Sequence, residues 1–324
     1  MTTPSLVSVF ASAVLPTLSL AVVGYALGRV KEVDVGPLNT VTLYVLAPAL
    51  VFHSLVTTET GGLTVAKLFA GVTAFVLVMM ALAAVVGRAL GESGPILGAL
   101  VLASSFPNSG NLGIPLSEFA FGAVGRSTAV LFLTAQSVLV YTGGVFVASR
   151  TGGGETDVRG ALESVFRLPL VYAVAAAGVV VALGVDPNPE GTAMRTLELT
   201  GNAAIPLLLI LLGVKLAGTD YRAALPSAGP GVALKLLVAP VVGVGLASLL
   251  SFENPTVARV FVLECAAPAA ITPLMLTIEY GDRVGDALPI TPPEYVGTLV
   301  LVTTVASVPA LTVLIYLLQS GFVV

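Results

Sequence analysis

The chain has 324 residues, of which 56% are hydrophobic and only 10% charged, with a net charge of −4 and a mean hydropathy of +1.02. A soluble chain of this length needs far more charge to cover its surface, so the composition excludes a soluble domain and indicates a polytopic protein of the lipid bilayer. The small charge is spread over loops and marks no nucleic-acid partner, and a single Cys265 and single His53 exclude a disulfide framework or a clustered metal site; no metal or cofactor is expected.

About 20 apolar residues cross a ~30 Å hydrocarbon core as a helix. Ten such spans are predicted, near residues 5–29, 35–56, 64–90, 94–122, 125–149, 163–184, 192–217, 226–250, 256–280 and 294–318. The first lacks a basic leader and a small-residue cleavage site, and reads as a retained span. Its GYALG, Gly24 to Gly28, has the small-xxx-small spacing that permits close helix contact, within the chain or across a dimer. The second carries Pro48 at mid-span and His53, whose two readings are hydrogen-bonded packing residue and proton relay. The fourth contains FPNSGNLGIPL, Phe106 to Leu116, with two prolines, two glycines and two asparagines. After the fifth comes SRTGGGETDVRGALE, Ser149 to Glu163, polar and glycine-rich, which reads as a linker. The chain thus divides into residues 1–149, a linker at 150–162, and residues 163–324.

Lys and Arg set the orientation. Loops after the odd-numbered spans carry Arg29, Lys31, Arg88, Arg150, Arg159, Arg167, Lys215, Arg222 and Arg283, against Lys67, Arg126, Arg195 and Arg259 on the other side. This places the linker in the cytoplasm and both termini outside the cell membrane. Because five spans are an odd number, the second half runs inverted relative to the first, the geometry of an inverted-repeat transporter. The sequence carries traces of that repeat. VLASSFP, Val101 to Pro107, matches VLECAAP, Val262 to Pro268; Pro115-Leu116 matches Pro273-Leu274; and Phe121-Gly122 matches Tyr280-Gly281.

Two prolines a few residues apart, with glycines between, unwind a helix rather than bend it. The freed amides and carbonyls cannot face lipid, so they must line an enclosed cavity near the midplane. If the fourth and ninth spans both break, their half-helices present positive N-terminal ends to a common point, where a carboxylate is stabilised. A kink without any ligand is the bland alternative. Asn108 and Asn111 supply uncharged donors and acceptors, either for freed backbone or for a bound carboxylate. Intramembrane ionisable groups default to functional candidates. Glu264, four residues before Pro268, could couple a proton or cation, or pair with Lys235. Glu118, beyond Pro115, is a second coupling candidate or a partner within its half-helix. Lys235 could neutralise an acid or attract an anion. No HExxH occurs and no Asp lies inside a span, while Ser105 or Ser109 would have only His53 as a base, so enzyme readings fail.

PNSGNLGIPL with Gly122, and AAPAAITPLMLTIEYG, Ala266 to Gly281, resemble the auxin efflux carrier family, which includes the plant PIN-FORMED exporters and prokaryotic permeases for malate and other organic acids. LNTVTLYVLAPALVFHSL, Leu38 to Leu55, GNAAIPLLLILLG, Gly201 to Gly213, and LKLLVAP, Leu234 to Pro240, are similar to family positions in the same order. The resemblance implies an all-α fold of ten helices in two inverted five-helix repeats, with broken, crossing fourth and ninth helices, as in sodium/proton antiporter-like folds. It also implies a scaffold of spans one, two, six and seven and a mobile part of spans three to five and eight to ten. The substrate site falls at Pro107, Asn108, Asn111, Gly113, Pro115, Pro268 and Pro273, a scaffold-mediated homodimer is implied, and efflux is the family's direction. Plant members tend to have a neutral amide where Glu264 stands, which points to a different coupling or substrate charge, and look to carry an acid and a lysine in the third span, where Val72 to Val86 has no charge, which points away from auxin itself; an auxin-like or dicarboxylic acid is the expected substrate. The expected function is a carrier of a small organic anion by alternating access, with or without a coupled proton or sodium. The alternatives are a cation/proton antiporter or ion-coupled symporter on the same fold and, more remotely, a channel or ligand sensor.

Overall fold

A computed structural model describes residues 5–57, 61–151, 169–185, 187–218, 225–281 and 290–322. Of the predicted linker 150–162, all but Arg150 and Thr151 lies outside the described residues. Those residues form helices α1 (Leu6–Val30), α2 (Val35–Val56), α3 (Gly62–Ala89), α4 (Gly94–Ser105), α5 (Ser109–Thr151), α6 (Pro169–Ala182), α7 (Thr192–Ala217), α8 (Gly229–Leu250), α9 (Pro255–Ala266), α10 (Thr272–Gly281) and α11 (Pro292–Gln319). Seven of them, α1, α2, α3, α5, α7, α8 and α11, are long and apolar enough to cross a membrane. Large apolar residues such as Leu77, Val85, Leu237, Val241 and Leu249 are exposed, the pattern of a surface turned to lipid.

Sequence chemistry explains where helices start and stop. Asp34 and Asn254 cap α2 and α9 by accepting from the amides of Gly36 and Thr256, and Thr291 with Glu294 forms a reciprocal cap on α11. Pro95, Pro230, Pro255 and Pro292 sit in first turns, where the missing N–H costs nothing. Prolines deeper in a span have a different effect. Widened π-type turns at Phe10–Val14, Thr42–Leu46, Ser109–Gly113 and Leu234–Val238 each stand two residues ahead of a proline, Pro16, Pro48, Pro115 and Pro240. One added residue per turn relieves the clash between the ring and the preceding turn without ending the helix.

In α5, 43 residues long, Gly122 takes φ +66° and ψ −150°, a conformation side chains disfavour, and breaks the helix into residues 109–121 and 123–151. The predicted boundary between the fourth and fifth spans falls on this residue. The predicted fourth span itself is divided, with α4 ending at Ser105, and the ninth is divided into α9 and α10.

The helices pack in two sets. α1 lies against α7, and α2 against α6 and α7. Gly24 rests on the Ile210 backbone and Gly213 on that of Ala21, so closely that a Cβ at either would overlap the other helix. The GYALG spacing is therefore spent inside the chain, and a homodimer would need another face. In the second set α3 packs on α4, α5 and α8, while α9 is held by α5, α8 and α11.

Candidate functional site

Pro107 and Pro268 end α4 and α9 for the same reason: neither has an N–H to donate to the preceding turn. The backbone becomes extended at Phe106 and Ala267. The two extended pieces then lie antiparallel, Pro107 opposite Ala269. The Asn108 amide donates to the Pro268 carbonyl at 2.7 Å, and the Ala270 amide to the Phe106 carbonyl at 2.9 Å. Part of the freed backbone, expected to line an enclosed cavity, is instead consumed in joining the two breaks.

Side chains from neighbouring helices complete the pairing. Gln136, in the second part of α5, donates from Nε2 to the Pro107 carbonyl at 2.9 Å and accepts from Ser109 Oγ at 3.3 Å. Thr303 of α11 accepts from the Ala269 amide at 3.1 Å and donates its own hydroxyl hydrogen bond to the Leu299 carbonyl at 2.6 Å. Asn108 is only 3% exposed, and its Nδ2 has no partner. A buried amide left unpaired costs about 1–3 kcal/mol, so a group that tolerates this cost is a candidate ligand contact. Ser104 Oγ and Glu264 Oε2, in the last turns of α4 and α9, are likewise buried and unpaired.

Glu264 is fully buried. Its Oε1 accepts from Ser117 Oγ at 2.8 Å, while Oε2 lies on the backbone of Gly113, where any Cβ would overlap the carboxylate. Lys235 is also fully buried; its Nζ donates to the Cys265 carbonyl at 3.3 Å and stands 5.5 Å from the centre of the Phe75 ring. Lys235 and Glu264 act on one another electrostatically without reaching ion-pair distance.

The structure therefore gathers Pro107, Asn108, Gly113, Pro268, Glu264 and Lys235 around one crossing. Pro115 and Pro273 are buried in the first turns that follow the breaks, and Asn111 is half-buried on the widened turn. Glu118 and His53 belong elsewhere. Ser117 turns toward Glu264, whereas Glu118 turns to Arg126, pairing with its Nη1 at 3.3 Å across the Gly122 break; the same nitrogen donates to Asn202 Oδ1 on α7 at 3.0 Å. His53, half-buried on α2, lies within electrostatic range of Arg126 and Glu198. Gln136, Ser117 and Thr303 escaped the sequence reading. Gln136 is an amide inside an apolar span and was open to the same argument as the asparagines; Thr303 sits in a Thr-Thr pair with nothing to single it out.

A family model described as membrane transport protein matches residues 9–315. An uncharacterized transporter of Methanothermobacter thermautotrophicus is 31% identical over 276 residues, covering 82% of this chain and 87% of its own. A protein of Rhizobium meliloti whose name makes it a candidate malonate transporter is 25% identical over 316 residues, covering 95% of each chain. An uncharacterized transporter of Methanocaldococcus jannaschii is 23% identical, covering 82% of this chain and 88% of its own.

Proposed function

The chain belongs to the family of membrane transport proteins, and from that premise we propose that it is a carrier for a small organic anion, with a short dicarboxylate of the malonate type as its substrate class. One observation carries this reading: two broken helices bonded to each other at their breaks, with the buried side-chain Nδ2 of Asn108 unpaired at the N-terminal end of α5, and α10 beginning just past the second break. Those ends carry partial positive charge, and an amide donor beside them suits a carboxylate. The name of the Rhizobium meliloti relative supplies the substrate class.

In this reading α4 with residues 109–121 forms one broken span, residues 123–151 the next, and α9 with α10 another, giving ten spans in two inverted repeats. The scaffold is α1, α2, α6 and α7, and the mobile part is the set built around the crossing; the two packing sets support this division. The termini face outward, the linker lies in the cytoplasm, and the resemblance to auxin efflux carriers favours export. Glu264 is the coupling residue, because a buried carboxylate with one unpaired oxygen is the group at the crossing best suited to take up a proton.

Reconstituted into proteoliposomes, the protein should take up labelled malonate saturably and show counterflow. Single-channel currents, or binding without flux, would overturn the carrier. Uptake by the native chain should depend on pH and uptake by Glu264→Gln should not; equal pH profiles would remove Glu264 from coupling.

A further inference from the structure

The second break contains a fully buried lysine. Lys235 stands on the widened turn Leu234–Val238, which the following Pro240 imposes on α8. Its ammonium reaches the Cys265 carbonyl in the last turn of α9, where Pro268 denies the helix a donor. Three features that favour a dehydrated monovalent cation meet at this one nitrogen. The carbonyl end of a helix carries partial negative charge. The Phe75 ring of α3 offers its face at 5.5 Å. The Glu264 side chain, one residue before Cys265, lies within electrostatic range of the same nitrogen, beyond ion-pair distance. The titratable groups facing Lys235 are Glu264 and Cys265, both on α9.

We propose that Lys235 is a tethered cation, filling the place at the carbonyl end of α9 that a free sodium ion would otherwise take. The charge of Glu264 and of the half-helix is then balanced from within the chain, and neither folding nor substrate binding draws on sodium. A buried charge stripped of its partner is strongly unfavourable. A lysine answers that demand without recruiting and dehydrating an ion from solution. The inference deepens the carrier reading by naming what its coupling does without, and rests on that reading only for the clause about substrate.

The test uses the purified full chain in detergent without substrate, so it stands apart from the malonate experiment. Thermal unfolding is followed at equal ionic strength in choline, sodium or ethylammonium chloride. The native chain should melt at the same temperature in all three. Lys235→Ala should melt several degrees lower in choline, and the loss should be reversed saturably by sodium or ethylammonium, since a ligand that binds only the folded state stabilises it by mass action. Lys235→Arg should behave as the native chain. If Lys235→Ala does not fold, the double variant Lys235→Met with Glu264→Gln decides: with both charges removed it should fold in choline without added cation. A native chain stabilised specifically by sodium, a Lys235→Ala chain as stable as the native in choline, or a double variant no better than Lys235→Met alone would each overturn the proposal.

Discussion

The two breaks do the same mechanical work with different chemistry. At the first, around Pro107, neutral amides finish the unwound backbone: Gln136 supplies the Pro107 carbonyl and Asn108 remains in reserve. At the second, around Pro268, the nearby residues Ala266, Ala267, Ala269 and Ala270 are apolar. A threonine hydroxyl and two buried ionisable side chains, Lys235 and Glu264, supply the polarity instead. A shared backbone geometry therefore does not fix the side chains that satisfy it. The first break is finished by groups that carry no charge in any state, and the second buries a lysine and a glutamate near one another without pairing them.

That contrast can be broken most forcefully at the second site. Glu264→Ala empties the space against Gly113 and leaves the buried Ser117 hydroxyl without its acceptor, and should cost about 2–4 kcal/mol in a denaturant or thermal unfolding measurement. Glu264→Gln keeps an acceptor for Ser117 and should cost less. Next come the two side chains that finish the backbone. Thr303→Val removes the acceptor shown for the Ala269 amide and should cost about 1–3 kcal/mol. Gln136→Leu should cost toward the lower end of that range, because the Pro107 carbonyl also accepts from the Ser109 amide at 2.9 Å. The reverse order in unfolding measurements would mean that the first break is the more tightly determined.

Away from the crossing, Arg126→Gln removes an ion pair whose members are 12% and 30% exposed. Discounted for solvent screening, it should cost about 0.5–1 kcal/mol. Loss of its bond to Asn202 unties α5 from α7, so the variant should alter transport rate more than binding. The smallest effect on stability belongs to Asn108→Ala, because the Asn108 Nδ2 makes no bond to lose. Its expected signature is a weaker apparent affinity for malonate at near-native stability, read by uptake kinetics beside thermal unfolding; a large loss of stability with unchanged affinity would assign Asn108 to the fold alone.

How much of this was legible follows from what each residue must do. Pro107 and Pro268 were legible as breaks because each is followed within eight residues by a second proline, whereas a lone mid-span proline such as Pro48 only widens a turn. Gly122 ended the fourth predicted span for a related reason, since its φ of +66° is one that glycine alone adopts freely. The GYALG motif was legible as a contact and silent about its partner, which three dimensions supply in Ile210 and Gly213. Gly113 was read from the family pattern as part of the substrate site, yet it is Glu264 that needs the room there. That need joins residues 151 positions apart and leaves no local trace in either half. Thr303 was illegible for the same reason.

The two hydrogen bonds between residues 106–108 and 268–270 have one more consequence, a kinematic one. They rivet the halves of the chain at the point where each is weakest as a helix. A carrier of the kind proposed, riveted there, should not hand cargo from one half to the other by sliding them apart. For that carrier, whatever is held at the crossing should ride with both breaks as one piece, and the surfaces that slip past each other should lie farther out, where Arg126 reaches Asn202.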